Sequence, residues 1–143
     1  MHSVSKNVLF LSPGNAARSI IAESLLNHWG KDRFVGYSAG PFPQTAVHPL
    51  ALSVLNERLL PMDGLRSKSW SEFAKPGAPA MDYIFAICDS AAGESCPAWP
   101  DHPATAQWDE RDPAAAPGTQ IARLAVFRTA ARGLEANIRQ FLK

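Results

Sequence analysis

The sequence has little cysteine, almost no excess of one charge and no long apolar run, and each shortage removes a class of protein. Two cysteines in 143 residues are too few to staple a secreted mini-protein, so each is a core residue, a redox group or incidental. Fourteen basic residues against thirteen acidic ones leave a formal net charge of +1. The basic residues are scattered, not striped, which argues against a nucleic-acid partner. No stretch approaches the roughly 18 apolar residues that cross a bilayer, so no membrane partner is expected. The opening Met1-His2-Ser3-Val4-Ser5-Lys6 lacks the apolar segment of a secretory signal, which makes a cytoplasmic location the expectation. His102 follows Cys96, but no second Cys-x2-Cys or His-x3-His element completes a tetrahedral set, and neither metal nor cofactor is expected. With no repeat, linker or low-complexity tract, residues 1–143 read as one domain, and 46% hydrophobic residues suffice for one ordinary core.

What is present is an alternation of strand and helix signals. Val8-Leu9-Phe10-Leu11 is a short apolar run that suits a buried parallel strand, and Pro13 and Gly14 end it. Ile21, Leu25, Leu26 and Trp29 then recur at helical spacing from Arg18 to Gly30, a crossover helix. Residues 33–38 read as a second strand, closed by Ala39-Gly40. A second helix starts near Val47-His48-Pro49, proline being favoured in a first turn, and carries Leu52, Leu55 and Leu59. His48, alone at a helix start, reads as structural or solvent-facing and not as a base. Ser69 is a cap for a short helix through Phe73, while Arg66 and Lys68 read as solvated charges. Residues 81–88 form the clearest later strand, and 104–108 a short final one. Thr119 caps a long amphipathic helix with Ile121, Leu124, Phe127, Ala131, Leu134, Ile138 and Phe141 on one face. Gly133 within it costs about 1 kcal/mol relative to alanine and marks close packing or a bend. These elements predict a doubly wound α/β domain with a mostly parallel sheet.

The segment Ser12-Pro13-Gly14-Asn15-Ala16-Ala17-Arg18-Ser19 lies between the first strand and the first helix. A loop there aims backbone N–H groups and the positive end of a helix dipole at one point, where an oxyanion can sit. Arg18 adds a planar fork of donors suited to phosphate or arsenate. Cys88 ends the 81–88 strand and, in a parallel sheet, lies at the same edge as this loop. Taken alone, Cys88 is equally a small buried hydrophobe and Cys96 an incidental loop thiol; Asp112-Pro113 is equally a common turn opening.

The stretch resembles the signature loop of the low-molecular-weight protein tyrosine phosphatases and of the arsenate reductases that share their fold, whose pattern is Cys-x5-Arg-Ser after an apolar strand. The spacing, Gly14, Asn15, Arg18 and Ser19 fit, whereas Ser12 stands where the family has its nucleophilic cysteine, and Pro13 and Ala16 replace the usual threonine and serine. The resemblance continues through the 37–40 run Tyr-Ser-Ala-Gly and is strongest in the arsenate-reductase branch, because Cys88 and Cys96 match the second and third redox cysteines of that branch. It implies a four-stranded parallel sheet in the order 2-1-3-4 with helices on both faces. It further implies an oxyanion site made by Ser12, Gly14, Asn15, Ala16, Ala17, Arg18 and Ser19, a catalytic set of Ser12, Arg18 and the general acid Asp112, a redox pair Cys88 and Cys96, and a thioredoxin- or glutaredoxin-type reductant.

The departure at Ser12 decides the functional expectation. A cysteine at a helix N-terminus ionises readily; a serine hydroxyl does not, and no histidine lies in the loop to act as its base. The expected protein therefore binds phosphate, arsenate or a similar oxyanion without ordinary thiol-based turnover. Two alternatives stay open. One is an active arsenate reductase or phosphotyrosine phosphatase, with Ser12 an altered residue or Cys88 as nucleophile; the other is a redox or interaction module that uses Cys88 and Cys96.

Overall fold

The structure is a computed structural model that describes residues 5–99 and 106–143. Strands β1 (Lys6–Leu11), β2 (Phe34–Ala39), β3 (Tyr83–Cys88) and β4 (Ala106–Asp109) form one parallel sheet in the order β2-β1-β3-β4. This is the order that the family resemblance implies. Ala104 and Thr105 of the expected final strand, and His102, lie outside the described residues.

Alternation along β1 sorts its side chains between two cores, because successive residues point to opposite faces of a sheet. Val8 and Phe10 join α1 (Arg18–Trp29), α2 (Pro49–Glu57) and α3 (Gln120–Phe141) in the larger core. Leu9 and Leu11 join Ala39 and Ile84 in the smaller one. β3 repeats the pattern, with Phe85 and Ile87 in the first core and Ile84 in the second. Each fully buried Leu, Ile or Phe contributes about 1.5–3 kcal/mol of transfer free energy. The two layers are unequal. The smaller core is covered by the 3-10 helix Trp70–Phe73, whose Trp70 and Phe73 pack on it, together with Tyr37, Met81 and Trp99.

The helix boundaries follow the expected caps. The Ser69 hydroxyl accepts from Ser71 N–H, Thr119 Oγ1 accepts from Ala122 N–H at 3.1 Å, and Pro49 opens α2 behind His48. Three apolar positions depart from expectation. α2 ends at Glu57, so Leu59 falls beyond it with a positive φ of 57° and is exposed. Ile121 sits in the first turn of α3, beyond the reach of the sheet, and is exposed. Trp29 is half exposed and stacks under the Arg139 guanidinium at 4.0 Å, an arrangement that covers an aromatic face without burying it.

All four strands run the same way, so the loop after β1, Cys88 at the end of β3 and Asp109 at the end of β4 share one edge. β1 is flanked by β2 and β3, and its carboxyl end is the switch point where open α/β sheets place their ligands. Gly40, just past β2, lets the chain pass against the loop: a Cβ there would collide with the carbonyl oxygens of Ser12 and Pro13. Gly133 answers a different need. A Cβ would fall 2.5 Å from Glu110 Oε2, the close packing that is one of the two expectations for this glycine. Backbone oxygens cannot step aside, whereas a glutamate tip can. Gly40→Ala should therefore lower the unfolding free energy by about 1–3 kcal/mol. Gly133→Ala should change it by no more than about 1 kcal/mol, the gain in helix propensity offsetting the displaced carboxylate. Urea denaturation of the two variants beside the native chain checks this contrast; equal losses would show that the loop yields to the added methyl group.

Candidate functional site

The loop between β1 and α1 is held by its carbonyl groups. Pro13, Gly14 and Ala16 accept hydrogen bonds from the backbone N–H groups of Phe42, Gln44 and His48 at 3.0, 2.9 and 2.9 Å. With its oxygens engaged by the segment that follows β2, the loop is free to turn N–H groups inward. Ala17, the residue before α1, caps the helix with no side-chain hydrogen bond, so the first-turn amides of α1 keep their donor capacity for something else. Asn15 takes a left-handed conformation at φ 45°, which asparagine tolerates better than most residues. Its amide fixes that turn from both sides: Nδ2 donates to Ser19 Oγ at 2.8 Å, and Oδ1 accepts from Lys68 N–H at 2.9 Å.

Ser12 is buried at the base of the loop. Its hydroxyl lies 2.5 Å from that of Ser19, and either can be the donor. Among the described residues this is the hydrogen bond its side chain makes, and neither a histidine nor a carboxylate supplies a base. The loop lines a cavity of about 490 Å³ together with the 44–49 segment, Asp112, Ala114 and Ala115. Ser12, Gly14, Asn15, Ala16, Ala17, Arg18 and Asp112, all singled out in the sequence, are thus brought to one concavity, with Ser19 directly behind Ser12. Cys88 and Cys96 are not part of its wall.

Arg18 is only 4% exposed and is gripped by a residue that sequence reasoning passed over. Glu94 accepts from Nη1 at 2.7 Å and from Nη2 at 2.8 Å, an end-on bidentate pair, and the carbonyl of Glu110 takes a further Nη1–H at 3.1 Å. Three of the five guanidinium N–H groups are engaged in this way. Nε–H and one Nη2–H remain along the side of the fork. Asp112 Oδ2 lies 3.9 Å from Nη2, while its Oδ1 accepts from Ala114 N–H at 3.0 Å and opens the 3-10 helix Pro113–Ala115. The Arg18 guanidinium, with a lesser contribution from the Asp89 N–H, holds the Glu94 carboxyl below its usual range. Glu110 is raised instead, because burial outweighs the pull of Arg18.

Cys88 and Cys96 are joined in a disulfide, with Cα atoms 5.3 Å apart. The intervening chain folds back through the 3-10 helix Ser90–Ala92, capped by Asp89, and through Gly93 at a left-handed φ of 80°. That return carries Glu94 to Arg18.

Behind the loop, Lys68 corrects the reading of a solvated charge: it is buried. Its ammonium donates to Ser38 O at 2.9 Å and lies 4.0 Å from Glu23 Oε1, which in turn accepts from the Ser38 hydroxyl at 2.5 Å. Burial pushes Lys68 down and Glu23 up, their mutual attraction only partly opposing it. The pair ties α1, β2 and the 64–70 segment under Asn15. Arg66 stays exposed and pairs with Glu72. His48 lines the same cavity as the 12–19 loop and is held in place by the fold. Its Nδ1 accepts from Leu50 N–H at 3.1 Å, its ring packs on Phe127 at 4.8 Å, and burial, reinforced by Arg123, lowers its pKa. Arg123 Nη2 lies 3.4 Å from His48 Nε2. Glu94, Glu23 and Lys68 carry no sequence signal. Their partners stand 76, 45 and 30 positions away, at Arg18, Lys68 and Ser38, beyond any local spacing rule.

Among the described residues no group of three His, Cys, Asp or Glu side chains is placed to hold a metal ion, and no helix is long and apolar enough to cross a membrane. Comparison with known proteins adds the following. An arsenate reductase of Shouchella clausii is 31% identical over 136 residues, 95% of this chain and 94% of that one. The crystal structure of arsenate reductase from Archaeoglobus fulgidus shares the fold at 24% identity, with a TM-score of 0.76 over 94% of this chain and 97% of the other. A low molecular weight protein tyrosine phosphatase from T. tengcongensis is 26% identical, with a TM-score of 0.71 over 96% and 98%. Residues 7–143 match the description low molecular weight phosphotyrosine protein phosphatase; the sheet order, the loop after β1 and these relatives agree, and the chain belongs to that family.

Proposed function

We propose that this protein is an arsenate-reductase-like member of the family that binds phosphate, arsenate or a similar oxyanion in the 12–19 loop and lacks ordinary thiol-based turnover. The observation that carries the reading is Ser12: a buried hydroxyl at the base of the loop, paired with Ser19 and without a base. Binding is supported by the loop carbonyls of Pro13, Gly14 and Ala16 being engaged elsewhere, the uncapped start of α1 and the two remaining N–H groups of Arg18. An oxyanion seated there receives charge-assisted hydrogen bonds, which are shorter and stronger than neutral ones.

Turnover requires an anionic nucleophile. A thiolate at position 12 would be stabilised by the α1 dipole and by the Ser19 hydroxyl as donor, and it would attack arsenic or phosphorus directly. Serine gains too little from the same surroundings to ionise, so Asp112, at the cavity mouth and suited to protonate a leaving group, has no first step to follow. Cys88 as a substitute nucleophile is disfavoured, since its sulfur is bonded to Cys96 and is absent from the cavity wall. That disulfide does favour a second role, as a redox pair exchanging with a thioredoxin- or glutaredoxin-type dithiol. In this role the cysteines set the state of the loop beside the anion site whether or not arsenate is reduced.

Two measurements test these readings. Activity toward arsenate and a small aryl phosphate, assayed under one reducing condition, should stay at background for the native chain and rise clearly for Ser12→Cys. Native activity equal to that of the cysteine variant would overturn the account of Ser12. In phosphate titrations, Arg18→Ala should weaken binding by about tenfold or more, the equivalent of one charged hydrogen bond; unchanged affinity would remove the anion site from this loop.

A further inference from the structure

Glu94 is the side chain that the functional reading leaves unexplained. A carboxylate seated end-on against the one buried arginine of an oxyanion site occupies two of its five donors and cancels its charge. It gets there because the 88–96 chain is closed into a loop. Cys88 is fully buried at the end of β3, and the disulfide holds Cys96 to it. Within that ring Glu94 N–H donates to Asp89 O at 3.1 Å, and Asp89 N–H donates to Glu94 Oε1 at 2.7 Å. Residues 95–98 make no backbone hydrogen bond to other described residues. The far end of the loop is thus tied to the sheet by the sulfur bridge and, beyond it, by Trp99 packed on the smaller core and against Trp70.

We infer that Glu94 links the redox state of Cys88 and Cys96 to anion affinity: the disulfide-closed loop seats Glu94 on Arg18 and weakens oxyanion binding, and reduction releases it. The inference rests on the oxyanion reading of the 12–19 loop. An anion on the Nε–Nη2 side of Arg18 shares the guanidinium with the Glu94 carboxylate. Two like charges a few ångströms apart in a partly buried site repel by enough to cost about tenfold or more in affinity. Reduction opens the ring by thiol–disulfide exchange. A thiolate of a dithiol reductant attacks one sulfur, the S–S bond breaks to a mixed disulfide, and the second thiol displaces it. Two electrons and two protons pass to the protein, leaving two thiols, and the reductant becomes the disulfide. With the ring open, the loop gains the conformational freedom that closure had removed, and Glu94 no longer competes as a preorganised internal anion. Because coupling between two equilibria is reciprocal, an oxyanion that binds the reduced form better must also pull the cysteine pair toward its reduced state by the same factor.

The test is calorimetric titration of the full chain with inorganic phosphate, in the disulfide form and after reduction with dithiothreitol, for the native protein, Glu94→Gln, Cys96→Ser and Arg18→Ala. Thiol counting verifies each redox state. Reduction should tighten phosphate binding to the native chain by about tenfold, within the usual range of such couplings. Glu94→Gln with its disulfide intact should bind as tightly as the reduced native chain and lose most of the redox difference, and Cys96→Ser should bind like the reduced form without any reductant. Equal affinity of the two native redox forms overturns the inference, and so does a disulfide-bonded Glu94→Gln that binds no more tightly than native, which would make Glu94 a positioning group for Arg18. Binding that Arg18→Ala abolishes but reduction leaves unchanged overturns the coupling alone. Phosphate binding absent from every form, or indifferent to Arg18→Ala, overturns the oxyanion reading and this inference together.

Discussion

The site depends on how six residues between β1 and α1 dispose of their backbone groups. A loop cannot present N–H groups to an anion unless its carbonyls are satisfied elsewhere, since a buried polar group without a partner costs more than a hydrogen bond returns. Here Phe42, Gln44 and His48 take the carbonyls of Pro13, Gly14 and Ala16, Gly40 permits the approach, and Asn15 accepts the left-handed turn. The chain that follows β2 is thus as much a part of the proposed anion cradle as the loop itself. The same constraint accounts for His48, whose backbone N–H closes the loop while its ring caps α2.

Charge is arranged in two tiers around this cradle. In the inner tier Arg18 faces three acidic neighbours, with Glu94 in bidentate contact, Asp112 at 3.9 Å and Glu110 acting on it through both its carbonyl and its field. The outer tier is the buried Lys68 and Glu23 pair with Ser38. Burial disfavours the charged form of each member, so this pair is a device for fixing geometry more than a source of stability. It anchors the Lys68 N–H that orients Asn15.

Within this framework Ser12 is the residue on which the proposed loss of turnover rests. In the proposed reading its hydroxyl, buried and paired with Ser19, costs far more to ionise than a thiol would, beyond what a helix dipole can offset. On that proposal binding and reaction separate, because binding would be spread over several amides and an arginine whereas reaction would rest on a single side chain.

Much of this was legible in the amino-acid order alone. The apolar runs of β1 and β3, the caps at Ser69 and Thr119, and the Pro-Gly break before Arg18 act over a few residues, so the local chain determined the elements and the place of the proposed anion loop. The cysteines and Asp112 could be singled out, but their geometry could not. Leu59 and Ile121 were misjudged because periodicity runs past the point where a helix leaves the core. Glu94 on Arg18, Lys68 beneath Asn15, Gly133 against Glu110 and the closure of Cys88 on Cys96 were decided only by tertiary structure. Parallel strands brought distant segments to one sheet edge, and there the desolvation of a buried arginine and a buried lysine selected their partners from whatever the topology had placed within reach.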